Sequence, residues 1–152
     1  MSLKKVGELT IPSRQDYLAR VDQYTERIVR DLHLPSQMLD DIAISISEAV
    51  NNAIVHGNKL DENKRVVIRY YFCAKYLRLV VRDEGRGFSI KAVPDPRQEQ
   101  NLLKPSGRGI LIMRHLMDRV FFRQLKHGMM IIMDKFRPNA ENIPAEKGGT
   151  VG

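Results

Sequence analysis

The sequence predicts an α+β protein built as a two-layer α/β sandwich, with helices covering one face of a mixed, mainly antiparallel sheet. Three observations carry that prediction. Segments rich in β-branched and aromatic residues come in pairs separated by very short connections, as hairpins do. The stretch between the first and second strands has apolar residues at steps of three and four, as helices do. A chain of 152 residues, 43% hydrophobic and 28% charged, is one domain with enough length to enclose a core.

The elements follow in order. Val6 to Ile11 alternates loosely and stops at Pro12, which predicts a strand. Ser13 is placed to cap a helix from about Arg14 to Leu32, with Leu18, Val21, Ile28 and Val29 at helical spacing and Pro35 as its breaker. Ser36 is placed to cap a second helix, whose apolar set is Leu39, Ile42, Ile46, Ala49, Val50, Ala53 and Ile54. His56-Gly57-Asn58 closes it, with Gly57 suited to a left-handed C-terminal residue. Arg65 to Ala74 and Tyr76 to Val81 predict a hairpin. Asp83 to Ser106 is polar, carries Gly and Pro, and is too long for a simple turn, which marks it as functional or mobile. Ile110 to Met117 returns to helical spacing. Val120 to Leu125 and Met129 to Phe136 predict a second hairpin around His127-Gly128. The domain is expected over residues 1–137; the tail, 138–152, has little to bury and is expected to be disordered.

Composition excludes several classes of function. An unbroken apolar stretch never exceeds the five residues of Met129 to Met133, whereas a membrane helix needs about 20. The basic start, Met1 to Lys5, has no apolar stretch behind it, so no signal peptide is expected. Cys73 is the only cysteine, so no intramolecular disulfide or cysteine metal cluster can form, which fits a reducing cytoplasm. Lys and Arg number 25 against 18 Asp and Glu, a formal charge of +7. Those basic residues are scattered without aromatic interleaving, so they predict a solvated surface, and no nucleic-acid partner is expected.

Three clusters carry chemistry. Residues four apart on a helix are offset by only about 40°, so Glu48, Asn52 and His56 line one side of the second helix. Asn52 offers a neutral hard oxygen suited to Mg²⁺, and Glu48 can ligate, position a water or accept a proton. In Asp83-Glu84-Gly85-Arg86-Gly87 a carboxylate arrives where an apolar strand ends, and alternate glycines follow. Such a carboxylate can accept a hydrogen bond from an exocyclic amine like that of adenine. In Ser106-Gly107-Arg108-Gly109, glycines precede a helix whose free N–H groups suit a phosphate. Taken singly, each cluster also fits an ordinary helix face, strand end or helix start. The dinucleotide fingerprint and the P-loop are both absent.

Together and in this order, the clusters resemble the ATP-binding fold shared by gyrase, the Hsp90 chaperone, histidine kinases and the MutL repair protein. That family carries an N box with Glu and Asn, then D-x-G-x-G, then a glycine-rich box opening the next helix. Within it, the chain most resembles the small bacterial anti-sigma factor serine/threonine kinases. Their Ser-Glu-Ala-x-x-Asn-Ala-x-x-His-Gly pattern is matched by Ser47 to Gly57, and 20 positions separate Gly87 from Gly107, a short lid like theirs.

The resemblance implies a histidine-kinase-like ATPase fold that uses ATP/ADP and Mg²⁺. It implies that Asn52 ligates the metal, that Glu48 orients or deprotonates the attacking hydroxyl, and that Asp83 accepts from adenine N6. Gly85 and Gly87 would give the base room, while Gly107 and Gly109 would present N–H groups to the phosphates. Lys104 and Arg108 would add positive charge, and Ser89 to Ser106 would form the lid. The implied partners are a sigma factor and an antagonist protein whose serine is phosphorylated, with a homodimer as the common assembly. The alternative is a non-catalytic nucleotide-sensing binding module or a stress-signalling switch kinase.

Overall fold

The computed structural model of the chain describes residues 2–85 and 105–138. Five strands form one sheet in the order β1-β2-β3-β5-β4. They are β1 (Lys4–Pro12), β2 (Arg65–Phe72), β3 (Tyr76–Arg82), β4 (Arg119–Leu125) and β5 (Gly128–Phe136). All four pairings are antiparallel, so the expected mixed sheet narrows to an entirely antiparallel one among the described residues. Among the described residues three helices cover one face: α1 (Leu18–Asp31), α2 (Ser36–Asn52) and α3 (Pro105–Leu116).

Strand alternation decides which side the helices take. Val66, Ile68 and Tyr70 on β2 and Leu77, Leu79 and Val81 on β3 point the same way and are buried against Val21, Ile42, Ile46 and Met113 of the helices. Tyr70 is fully buried, and its hydroxyl is 2.6 Å from that of Thr25, which in turn donates to the Val21 carbonyl. Burial pushes the Tyr70 phenol far above its ordinary range, so it stays neutral.

The opposite face is not bare. Val80 and Ile132 are adjacent in register and nearly fully buried beneath long neighbours. Asp134 lies on the same face, opposite Arg78 on one side and Arg119 on the other. It is completely buried, and Arg78 donates to both of its oxygens, at 2.7 and 2.9 Å. Arg119 Nε is 3.0 Å from Asp134 Oδ2, and its guanidinium lies over both the Tyr76 and Phe136 rings, at 4.8 and 4.9 Å from their centroids. These ring contacts add cation–π attraction to the ion pair.

Helix ends differ from expectation. Ser13 does not cap a helix; a short 3₁₀ turn (Gln15–Tyr17) precedes α1, and Ser13 is buried with its hydroxyl bonded elsewhere. Ser36 is itself the first helical residue of α2, with Pro35 at the cap position and no side-chain cap. α1 stops before Pro35 acts: His33 adopts φ 55°, and the N–H groups of His33 and Leu34 bond back to Arg30 and Val29. That is a Schellman closure with histidine at the position glycine usually fills. Gly57 is not left-handed; Lys59 and Leu60 carry positive φ instead. α3 begins at Pro105, five residues before the expected Ile110.

Candidate functional site

α2 does not fray at its end but widens into a π-helical segment, Ala53–Gly57. The Asn58 N–H reaches back to the Ala53 carbonyl at 2.8 Å, and the Leu60 N–H to that of Ile54, also at 2.8 Å. Such widened turns recur at functional sites because they re-aim the residues that follow. Here the segment delivers Gly57 against the carboxylate of Asp83. A Cβ on Gly57 would overlap Asp83 Oδ2, and one on Gly85 would overlap the Gly57 carbonyl. The space that Gly85 leaves open is therefore filled by the protein's own backbone.

Asp83 is 6% exposed at the end of β3. Its Oδ1 accepts the N–H groups of Gly85 at 3.0 Å and Met129 at 3.1 Å, and its own N–H bonds the Met129 carbonyl at 3.0 Å. Its Oδ2 faces Gly57 and has no protein donor among the described residues. Burial raises the Asp83 pKa above the ordinary carboxylate value, opposed by the two N–H bonds and by the charge of Lys64. The ionised form is thus favoured by any further donor arriving at Oδ2. A third glycine fences the site: Gly128, at φ 130° in the β4–β5 turn, lies where a Cβ would overlap the Asp83 carbonyl.

The other end of the site is made by α2 against α3. Glu48 is half-buried and Asn52 is 8% exposed. A Cβ on Gly109 would lie 3.0 Å from Glu48 Oε2 and 3.0 Å from Asn52 Nδ2, so the glycine is what lets α3 approach both side chains. The first four N–H groups of a helix lack intrahelical partners, and Pro105 has none to offer. The start of α3 at Pro105 places Gly107 in that first turn. Gly109, further along the helix, supplies clearance between α3 and α2. Arg108 is exposed on the first turn. Gly87, Lys104 and the loop from Ser89 up to α3 lie outside the described residues, as does the tail from Asn139 onward.

His56 is half-buried beyond Asn52, and burial, with a smaller push from Lys59, lowers its pKa below the ordinary 6.5. It is neutral at pH 7; its share of stability is full above 6.5 and falls as acid charges it. Two contacts hold α2 from its far side. Ser47 donates to Asp22 Oδ1 at 2.9 Å, and Gln15 donates to Asn51 Oδ1 at 2.8 Å. These turn Glu48 and Asn52 toward α3. From Glu48 to Gly57 the helix advances roughly 13 Å, so the oxygen pair and the fenced carboxylate form two ends of one elongated site.

Among the described residues no group of three or more His, Cys, Asp or Glu could hold a metal alone. The pair Glu48 and Asn52 still fits Mg²⁺, which keeps its waters and is commonly held by one or two protein oxygens plus substrate phosphates. No helix among the described residues is long and apolar enough to cross a membrane.

A helix-on-sheet layer with an acid–amide helix face, a buried acceptor at a strand end and an open helix N-terminus defines a nucleotide-binding ATPase-like domain. The chain belongs to the histidine kinase-like ATPase domain family, whose model matches residues 11–135. It is similar to the anti-sigma F factor of Clostridium perfringens strain SM101, 32% identical over 133 residues, which covers 84% of this chain and 92% of the relative. It is also similar to the serine-protein kinase RsbW of Bacillus subtilis strain 168, 27% identical over 143 residues, covering 90% and 88% respectively. Among solved structures, one holding the RsbU and RsbW domains of a Mycobacterium tuberculosis protein matches the fold with a TM-score of 0.63 at 17% identity. That match covers 88% of this chain and 34% of the solved one, so the chain spans about a third of its length. The expected histidine-kinase-like fold and the resemblance to anti-sigma factor kinases are both borne out.

Gly128→Ala is expected to lower stability by about 2–5 kcal/mol, the sum of a disallowed φ and a backbone overlap. Denaturant titration checks this; a loss under about 1 kcal/mol would show that the turn re-forms without displacing Asp83.

Proposed function

We propose that the protein is an anti-sigma regulatory factor that binds Mg-ATP and phosphorylates a serine or threonine of an antagonist protein. The observation that carries this reading is Gly109 seated between Glu48 and Asn52, which brings a proton acceptor, a metal-compatible oxygen and an open helix N-terminus to one place. Asp83 accepts from the adenine amine through Oδ2. The N–H groups at the start of α3 around Gly107, and the positive end of that helix, hold the phosphates, with the charge of Arg108 beside them. Bound Mg²⁺, held by Asn52, supplies charge neutralisation on the triphosphate. Glu48 takes the proton of the attacking hydroxyl as its oxygen bonds the γ-phosphorus and ADP departs with the bridging oxygen. Phosphoryl transfer is largely positioning and charge stabilisation, so this set is sufficient. The name of the similar anti-sigma F factor supports a sigma factor as one partner, and that of the serine-protein kinase RsbW supports a protein substrate, which in this reading is the antagonist.

Calorimetry with Mg-ATP and Mg-GTP tests the nucleotide assignment. Guanine presents a carbonyl where adenine presents an amine, and two facing acceptors cost about 1–3 kcal/mol. ATP is therefore expected to bind about 5- to 150-fold more tightly than GTP. Equal affinities would remove Asp83 from this role.

A further inference from the structure

Asn58 is fully buried, and its whole amide is used. Nδ2 donates to Ser13 Oγ at 2.8 Å and to the Arg65 carbonyl at 3.0 Å, while Oδ1 accepts the Glu84 N–H at 2.8 Å. Ser13 Oγ passes the network on to the Lys64 carbonyl at 2.7 Å. With its own N–H on Ala53, Asn58 joins the end of β1, the widened turn of α2, the start of β2 and the end of β3. The bond to Glu84 matters most, because that N–H belongs to the peptide whose carbonyl is Asp83's. Met129 and Gly85 orient the Asp83 carboxylate through Oδ1, and Asn58 fixes the next peptide of the same backbone. Only an amide provides two donors and an acceptor at one buried point without charge.

We infer that Asn58 is a positioning residue for base selection: through the Asp83–Glu84 peptide it sets where Asp83 Oδ2 meets the nucleobase. This rests on the reading of Asp83 as the adenine acceptor. Removing the amide frees the peptide, so the carboxylate no longer holds one place and the preference for an amine over a carbonyl weakens. The phosphate end, made by α2 and α3, keeps its contacts.

The test is the ratio of GTP to ATP dissociation constants, measured with Mg²⁺ on the full chain for Asn58→Ala, Ser13→Ala and Asp83→Asn, each alongside its melting temperature. Ser13→Ala removes a bond of the same network but leaves Asn58 on Glu84, so it reports a purely structural loss. The expected result is a ratio at least 5-fold lower in Asn58→Ala and Asp83→Asn, and unchanged in Ser13→Ala despite a lower melting temperature. Should Asn58→Ala not fold, Asn58→Ser, which leaves a smaller void, carries the same expectation. If the Asn58 variant keeps the wild-type ratio while Asp83→Asn collapses it, the positioning role is overturned and the adenine reading stands. If Asp83→Asn also keeps the ratio, both are overturned.

Discussion

Glu48→Gln is expected to lower phosphate transfer by about 10²–10⁴ while leaving ATP affinity within a few-fold, the range typical of a positioned general base. Glutamine keeps the size of the side chain and its hydrogen-bonding reach, so the approach of α3 at Gly109 survives, where an added Cβ would lie 3.0 Å from this carboxylate. What is lost is the basic oxygen. Asn52→Ala differs in kind: it removes a nearly buried amide at the same contact, so metal-dependent binding and transfer are expected to fall together. Nucleotide affinity by calorimetry and transfer by labelled phosphate separate the two variants. A Glu48→Gln protein that transfers at the wild-type rate would end the base assignment.

Asp134→Ala is expected to cost about 3–5 kcal/mol of stability, the usual penalty for leaving buried charge without its partner. The carboxylate is fully buried between Arg78 and Arg119, whose side chains are 13% and 17% exposed. Its removal strands two guanidinium groups under Tyr76 and Phe136 rather than one. Asp134 raises the Arg78 pKa in the intact protein, and even without it a guanidinium does not lose its proton, so neither arginine escapes by neutralising. Urea denaturation checks the cost through the midpoint at an unchanged slope. A change below about 0.5 kcal/mol would mean that the two arginines reach solvent once freed. The site is on the other side of the sheet, so the ATP-to-GTP ratio should not move.

Much of this was legible in the residues. Val66 to Phe72 and Tyr76 to Val81 are rich in β-branched and aromatic residues, and both hairpins form where their short connections predict. Glu48 and Asn52 share a helix face because four residues make about one turn, and α3 closes on that face. The rest depends on register between distant strands, which no local pattern carries. Asp134 is one acidic residue in an apolar strand until β5 is aligned with β3 and β4, which puts an arginine on each side of it. Asn58 reads as the end of a helix, although its partners lie at residues 13, 65 and 84. Gly57 looks like a helix cap, yet its missing side chain is needed for contact with Asp83 rather than for a positive φ. Ser13 and Ser36 show the same limit: the hydroxyl of Ser13 goes to the distant Lys64 carbonyl, and Ser36 falls one residue inside its helix.

The most direct measurement is mass spectrometry of the antagonist protein after incubation with this chain and Mg-ATP, with Glu48→Gln run in parallel. A kinase of the proposed kind adds one phosphate to a serine or threonine of the antagonist in the wild-type reaction, and the variant leaves nearly all of the antagonist unmodified. An antagonist that binds the wild-type protein with ATP present yet never gains phosphate would contradict the kinase and leave a nucleotide-sensing binding module in its place.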